Sequence, residues 1–313
     1  MPLAFMRFVD YWAGIPLCFI LSGVSYIGRV TGLSRTKTGV VRKILVIKFS
    51  ELGAMILAYP LFNRLKEMYP DAEIHVLTFA KNKVIFDFLG TTVAKERVIC
   101  IDDESALNMM TSFARQAFVL KDYSFDVVID LEFFSRVSAL FTFMTCAPVS
   151  AGFYPYNMEG LYRGNFLTHK LAYNPLTHVS VNYYAIAQAL EEPFKNSPRL
   201  NAGIDKNSFV YPTYQSTMEA AALMRELGLP DGKKVFLMNV GEGVLPLREW
   251  PIDHFAQVAR FILKDPSRIL VLVGTAQADY KAHRLMAILN DPKVFNCSGK
   301  TSLVQMLELF TSS

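Results

Sequence analysis

Short β-branched runs that alternate with amphipathic stretches constrain this chain most. Lys43–Lys48 (KILVIK), Glu73–Thr78 (EIHVLT), Arg97–Ile101 and Phe125–Leu131 (FDVVIDL) read as strands, the first and last buried on both faces. Between them, Ala54–Tyr69 places Met55, Ile56, Leu57, Leu61, Leu65 and Met68 largely on one helical face. Lys81–Leu89, Ser105–Lys121, Phe133–Cys146 and His178–Leu190 are the next helices. A second series follows, with strands at Lys234–Asn239 (KVFLMN), Arg268–Val273 (RILVLV) and Val294–Cys297. Its helices are Thr217–Leu227, Ile252–Lys264, Gln277–Leu289 and Ser302–Phe310. Such alternation specifies βαβ units and parallel sheets, so the fold class is α/β.

The 313 residues suffice for two cores of ordinary domain size. Glu191–Tyr214, rich in Pro, Asn and Ser, reads as the connection between them. The expected division is residues 1–39, 40–192 and 193–313. The last region offers only about three strands, where a doubly wound lobe usually has around five or six.

Residues 1–39 stand apart. Tyr11–Gly28 carries no charge, Arg7 precedes it, and Arg29, Arg35 and Lys37 follow. A membrane-spanning helix needs about 20 apolar residues, so the length is marginal, and Gly14, Pro16 and Gly23 interrupt the run. A helix lying in the membrane interface is favoured over a spanning segment or a helix packed on the first domain.

Apolar residues make up 52% of the chain, yet the charged 19% is spread along most of it, which excludes a polytopic membrane protein. The net charge of +4 comes without the dense Lys/Arg stripe of a nucleic-acid binder. Cys18, Cys100, Cys146 and Cys297 are scattered and read as small buried residues in a reducing compartment. No His pair has metal-ligand spacing, so no metal site is expected.

Ligands of open parallel sheets bind beyond the carboxyl ends of the strands, which singles out four loops. In Lys48–Gly53 (KFSELG), Ser50 and Glu51 fit a helix start, and Gly53 permits close approach of a ligand or backbone. Glu51 is either a solvated first-turn carboxylate or a catalytic base. In Asp130–Arg136 (DLEFFSR), Asp130 reads as a cap of the next helix. Glu132 is a second candidate base beside aromatic surface, and Arg136 is an anion ligand or a surface arginine. In Asn239–Trp250 (NVGEGVLPLREW), backbone N–H groups around Gly241 and Gly243 fit a diphosphate, Arg248 adds charge, and Trp250 reads as an apolar anchor. In Gly299–Ser302 (GKTS), Thr301 or Ser302 caps the last helix, with Lys300 near a phosphate. There is no G-x-G-x-x-G and no Walker A, which argues against a standard dinucleotide or P-loop site.

Taken together, these loops resemble glycosyltransferase family 9, the ADP-heptose:lipopolysaccharide heptosyltransferases. The matching stretches are Lys43–Pro60, Tyr69–Leu77, Asp126–Glu132 with Arg136, Gly152-Phe153, Asn239–Pro251, Val273-Gly274 and Cys297–Leu303. The resemblance implies a GT-B fold of two Rossmann-like doubly wound lobes, the second incomplete here, preceded by the apolar N-terminal helix. It implies inverting, metal-independent transfer of a heptose-like sugar from an ADP-linked donor to a lipid-linked glycan such as lipopolysaccharide core. No cofactor is implied, and the protein would work in the cytoplasm at the inner-membrane surface. Glu51 or Glu132 would act as base, with Ser50, Gly53 and Arg136 on the acceptor. Gly241, Gly243, Arg248, Lys300, Thr301 and Ser302 would serve the donor.

Two departures stand out. The family's first loop reads L-G-D, its Asp being the usual base, whereas this chain has Leu52-Gly53-Ala54. Alanine takes no proton, so another carboxylate must substitute or the chain is a non-catalytic binder of sugar nucleotide or glycolipid. A membrane-anchored protein acting through partner contacts is a further reading. The family also continues, past a segment like Thr301–Phe310, into an N-D-S-G-P-x-H-like loop that holds the donor diphosphate. Its absence before Ser313 leads to the expectation of a truncated reading frame.

Overall fold

The computed structural model describes residues 10–31, 39–49, 52–87, 92–133, 135–154, 162–191, 195–199, 203–211, 220–241 and 249–312. The chain divides into two compact units, Met1–Pro212 and Thr213–Ser313.

The first unit opens with helix α1 (Gly14–Val30), preceded by a helical turn from Asp10. Strand β1 (Lys43–Ile47) leads into α2 (Leu52–Leu57) and α3 (Tyr59–Met68). The single helix expected over 54–69 is broken at Ala58, because Pro60 lacks the N–H that a continuous helix would use. After β2 (Glu73–Phe79), the residues expected as an α-helix form a 3-10 segment, Ala80–Asp87. Then come β3 (Val98–Ile101), α4 (Ala106–Val119), β4 (Val127–Asp130) and α5 (Arg136–Met144). Next are β5 (Val149–Phe153), β6 (His169–Leu171), α6 (Val179–Leu190) and β7 (Lys195–Arg199).

All seven strands pair in parallel, in the order β3-β2-β1-β4-β5-β6-β7. This is a doubly wound sheet whose direction of progression reverses between β1 and β4, where a crevice opens at the carboxyl ends. Strand β1 shows why both faces must be covered. Ile44 and Val46 pack on one side with Leu61, Phe62, Leu65 and Ile186, while Leu45 and Ile47 pack on the other with Met109, Val128 and Phe141. Thus α3 and α6 cover one face, and α4 and α5 the other. The segment expected as an interdomain connection contains β7, which carries Pro198 and stands at the sheet's edge, where a missing N–H is tolerated.

The second unit holds α7 (Ala220–Glu226), β8 (Lys234–Asn239), α8 (Ile252–Leu263), β9 (Arg268–Val273), α9 (Asp279–Leu289), β10 (Val294–Asn296) and α10 (Leu303–Ser312). Its three strands are parallel in the order β10-β9-β8, as many as the sequence offered. Met238, Leu270 and Leu272 meet α8 and α9 on one face; Val235, Ile269 and Val271 meet Leu223 of α7 and Leu309 of α10 on the other.

Candidate functional site

The β1/β4 switch point of the first unit gathers a buried polar network. Lys48 and Phe49 leave β1, and Leu131 and Glu132 leave β4, on neighbouring paired strands. Glu132 is 5% exposed, and its Oε1 accepts from Lys48 Nζ at 3.1 Å and from the backbone N–H of Phe49 at 2.7 Å. Asn82 of the 3-10 segment donates Nδ2–H to the Phe49 carbonyl at 2.8 Å and to Thr78 Oγ1 at 3.2 Å. Both backbone polar groups of Phe49 are therefore fixed, and its ring packs among Phe79, Phe113 and Phe141. The loop leaving β1 starts from a rigid point, two residues before Glu51.

Asp130 supports this arrangement from below. Its Oδ1 accepts from the Glu132 N–H at 3.0 Å, and its Oδ2 accepts from Ser138 Oγ at 3.0 Å and from the Arg163 guanidinium. Arg163 also donates to the Ser135 carbonyl at 2.9 Å and to Ser138 Oγ at 2.8 Å. Burial raises the Asp130 carboxyl above its ordinary range, against the pull of Arg163 and the hydrogen bonds it accepts. Asp130 is thus not the cap of α5. That position belongs to Ser135, whose Oγ accepts from the Ser138 N–H at 3.3 Å. The physical reason is reach: the Asp130 carboxylate is held at the strand end by Arg163, so the cap falls to the residue directly before the helix.

Of the residues singled out from sequence, Glu132 sits at this switch point, held against an ion-pair partner, Lys48. Gly53 lies exposed in α2, with nothing within 4 Å of a Cβ built on it. Ala54, where the resemblance led to the expectation of a base, is 7% exposed. Ser50 and Glu51 lie outside the described residues. For Arg136 the surface reading is corrected: the side chain is buried. Its side chain is 4% exposed; Nη1 pairs with Asp10 Oδ2 at 2.6 Å and Nε donates to the Tyr162 carbonyl at 2.8 Å. At the head of α5 the guanidinium meets the N-terminal helix and anchors it. Lys48 and Arg163 were not assigned roles from sequence. Lys48 had a signal, a cation at the end of a buried strand; Arg163 had none, because its partner lies 33 residues away.

The second unit brings the carboxyl ends of β8, β9 and β10 together. Gly241 donates its N–H to Asn239 Oδ1 at 2.8 Å, and Gly299 donates to the Gly274 carbonyl at 2.8 Å. Gly299 has φ +70°, and a Cβ there would lie 2.8 Å from Ala276 Cα, so only glycine fits. Lys300 donates Nζ–H to the Asn296 carbonyl at 2.9 Å. Ser302 caps α10 in a capping box: its Oγ accepts from the Gln305 N–H at 3.2 Å, and Gln305 Oε1 accepts from the Ser302 N–H at 2.8 Å. Thr301 Oγ1 is buried and makes no hydrogen bond among the described residues. Gly243 and Arg248 lie outside the described residues. Beside this end of the sheet, Trp250, Phe255, Tyr280, Lys281 and Arg284 line a groove, with Lys281 Nζ 2.5 Å from Glu249 Oε1. Trp250 packs against Phe255, ring centres 4.9 Å apart, as an anchor for the start of α8. The aromatic and basic wall from α9 was not visible in sequence. Among the described residues, no group of three His, Cys, Asp or Glu side chains is placed to hold a metal ion.

Comparison with known proteins bears on both units. In solved structures, E. coli ADP-heptose lps heptosyltransferase II matches with TM-score 0.66 and 23% identity, covering 86% of this chain and 76% of that one. A glycosyl transferase family 9 protein of Veillonella parvula matches with TM-score 0.65 and 17% identity over 87% of this chain and 74% of that one. E. coli heptosyltransferase WaaC, solved with ADP-2-deoxy-2-fluoro heptose, matches with TM-score 0.57 and 17% identity over 87% and 80%. At these identities the likeness establishes a shared GT-B-like fold. No curated protein matches significantly in sequence. Residues 111–312, well over half of the chain, match the sequence profile of glycosyltransferase family 9 (heptosyltransferase). The chain belongs to that family and is a glycosyltransferase.

Proposed function

We propose that this protein moves a heptose-like sugar from an ADP-linked donor, with inversion at the anomeric carbon, to a hydroxyl of a lipid-linked glycan such as lipopolysaccharide core. Family membership over residues 111–312 carries the reading, and two of the structural relatives were solved with ADP or an ADP-heptose analogue. The acceptor would lie by the β1 exit loop near Ser50 and Gly53. Inversion requires a base behind the attacking hydroxyl and stabilisation of the leaving diphosphate. Glu51 and Glu132 are the carboxylates for the first task. Glu132 already holds Lys48 and the Phe49 N–H on one oxygen, so it is suited to fixing the loop and Glu51 to taking the proton. The backbone N–H of Gly243, with Arg248, Lys300, Thr301 and Ser302, would face the diphosphate without a metal or other cofactor, and Gly241, its own N–H held by Asn239, would let the diphosphate approach the loop closely. The work is done in the cytoplasm at the inner-membrane surface, where the exposed apolar side of α1 would meet lipid.

Ala54 favours a second reading, a non-catalytic binder of the same ligands, since the usual proton acceptor is replaced by a buried methyl group. Turnover of ADP-heptose with lipopolysaccharide-core acceptors decides between them. The catalytic reading expects transfer that falls at least about 100-fold in Glu51→Gln, with Glu132→Gln lowering activity through the loop. Donor binding without transfer to any core acceptor would refute it in favour of the binder.

A further inference from the structure

The N-terminal helix runs from Asp10 to Val30, 21 residues, or about 32 Å at 1.5 Å per residue. That length matches the hydrocarbon thickness of a bilayer, so length alone permits crossing. Its contacts with the first unit argue otherwise. Asp10 accepts from the Arg136 N–H at 3.0 Å and from Nη1 at 2.6 Å. Gly14 presses on the same arginine so closely that a Cβ would lie 2.7 Å from Arg136 Cδ. Cys18 is fully buried. Ser22 Oγ accepts from Tyr162 Oη at 3.1 Å and from the Asn165 N–H at 2.7 Å. Arg29 donates Nη2–H to the Asn165 carbonyl at 2.8 Å. Positions 10, 14, 18, 22 and 29 form one stripe, so the helix is fastened to the protein from end to end.

The opposite side is apolar and open, with Trp12, Phe19, Ile20, Tyr26, Ile27 and Val30 each between 58% and 72% exposed. Charge adds a direction. The first 50 residues contain one acidic side chain, Asp10, which is bound to Arg136, while Arg7, Arg29, Arg35 and Lys37 flank the apolar run. An apolar stripe flanked in the sequence by these cations complements an anionic lipid surface, and aromatic residues near both helix ends suit the headgroup boundary.

Resting on the reading that the protein works at a membrane, we infer that α1 does not cross the bilayer. It lies in the plane of an anionic leaflet, its Trp12–Phe19–Ile27 side sunk to the headgroup boundary and its Asp10–Cys18–Ser22 side still fastened to the first unit. Crossing would pull both ends away from Arg136 and Asn165; lying flat breaks none of these bonds.

The test uses the full chain synthesised in the presence of vesicles, which gives a crossing helix the chance to insert. Vesicles are either phosphatidylcholine alone or phosphatidylcholine with phosphatidylglycerol. An Ile20→Trp variant in a Trp12→Phe, Trp250→Phe background places one indole at mid-helix. Binding at least tenfold stronger to the anionic vesicles, with quenching strongest from lipids labelled near the headgroup, is expected. Strongest quenching from labels at the acyl-chain end means a crossing helix and overturns the inference, while the membrane reading stands. No binding to either vesicle overturns the membrane reading itself. A dimer in solution that Phe19→Asp dissociates, without vesicle binding, gives the apolar face to a second copy and also overturns it. Phe19 and Ile20 are exposed, so Phe19→Asp with Ile20→Asp should fold with an unchanged unfolding transition and lose vesicle binding.

Discussion

Replacing Arg163 by methionine removes the cation that faces Asp130 while roughly keeping side-chain length. Both partners are buried, with side-chain exposures of 5% and 3%, so the carboxylate would be left in the interior without its counter-charge. Breaking a buried pair by removing one member typically costs about 3–5 kcal/mol. For a unit of this size, 1 kcal/mol shifts the midpoint by roughly 2–4 °C, so the first unit should unfold roughly 6–20 °C earlier. The loss should depend on pH in a definite direction. Asp130 has a raised pKa in the folded state, so protonation favours the fold. That contribution is complete below the unfolded value near 4 and is lost as pH rises through the folded value. Without Arg163 the raise grows, so the deficit of the variant should be largest near neutrality and shrink on acidification. Thermal unfolding followed by near-ultraviolet circular dichroism between pH 4 and 8 measures this. Adding Asp130→Asn to Arg163→Met removes the stranded charge and should recover part of the loss. A deficit below about 1 kcal/mol at neutral pH, or one that Asp130→Asn deepens, would refute the assignment of the pair as the support of the switch-point loop.

Three further outcomes follow from other parts of the molecule. Gly299→Ala forces a Cβ to 2.8 Å from Ala276 Cα at φ +70°, so urea unfolding of the second unit should show a loss of roughly 1–3 kcal/mol. Burial depresses the His75 pKa, so its neutral form favours the fold. Stability should fall as pH drops through the unfolded value near 6.5 toward the folded one, and His75→Gln should flatten that part of the urea-midpoint profile. Cys18 is covered by its own docked helix and its thiol is pushed up to about 11, whereas Cys146 is exposed. Maleimide at pH 7.5 should label Cys146 and spare Cys18, and Gly14→Val should open Cys18 to labelling by wedging the helix off Arg136.

The elements that sequence made visible are those whose burial demands a pattern. Strands β1, β8 and β9 lie within their sheets or are sheathed by helices, so runs such as KILVIK and RILVLV carry the signal unaided. Strands β5, β6 and β7 escaped because β5 is punctuated by Gly152, β6 is only HKL, and β7 contains a proline. Their strand identity comes from the neighbour each pairs with, a tertiary fact. The site divides in the same way. Glu132 was legible because a carboxylate stood at a strand end in a parallel sheet. Its ties to Lys48 and Phe49, and the Asp130–Arg163 pair beneath, join residues 33 to 84 positions apart and leave no local spacing to read. The burial of Arg136 was hidden in the same way, because the N-terminal helix that covers it lies 126 residues earlier and an arginine after a strand end reads locally as a surface side chain as readily as an anion ligand.

Arg136 opens α5 only four residues after Glu132, and its charge is answered by Asp10. A version of this protein trimmed of its apolar N-terminal helix for easier handling would therefore leave the Arg136 guanidinium without its Asp10 carboxylate, tied to the Tyr162 carbonyl but with its charge uncompensated by that partner. Altered kinetics in such a trimmed protein would mix the effect of that unpaired charge with any loss of membrane contact. The sound way to shed lipid affinity is to recolour the outer face of the helix and leave its inner stripe in place.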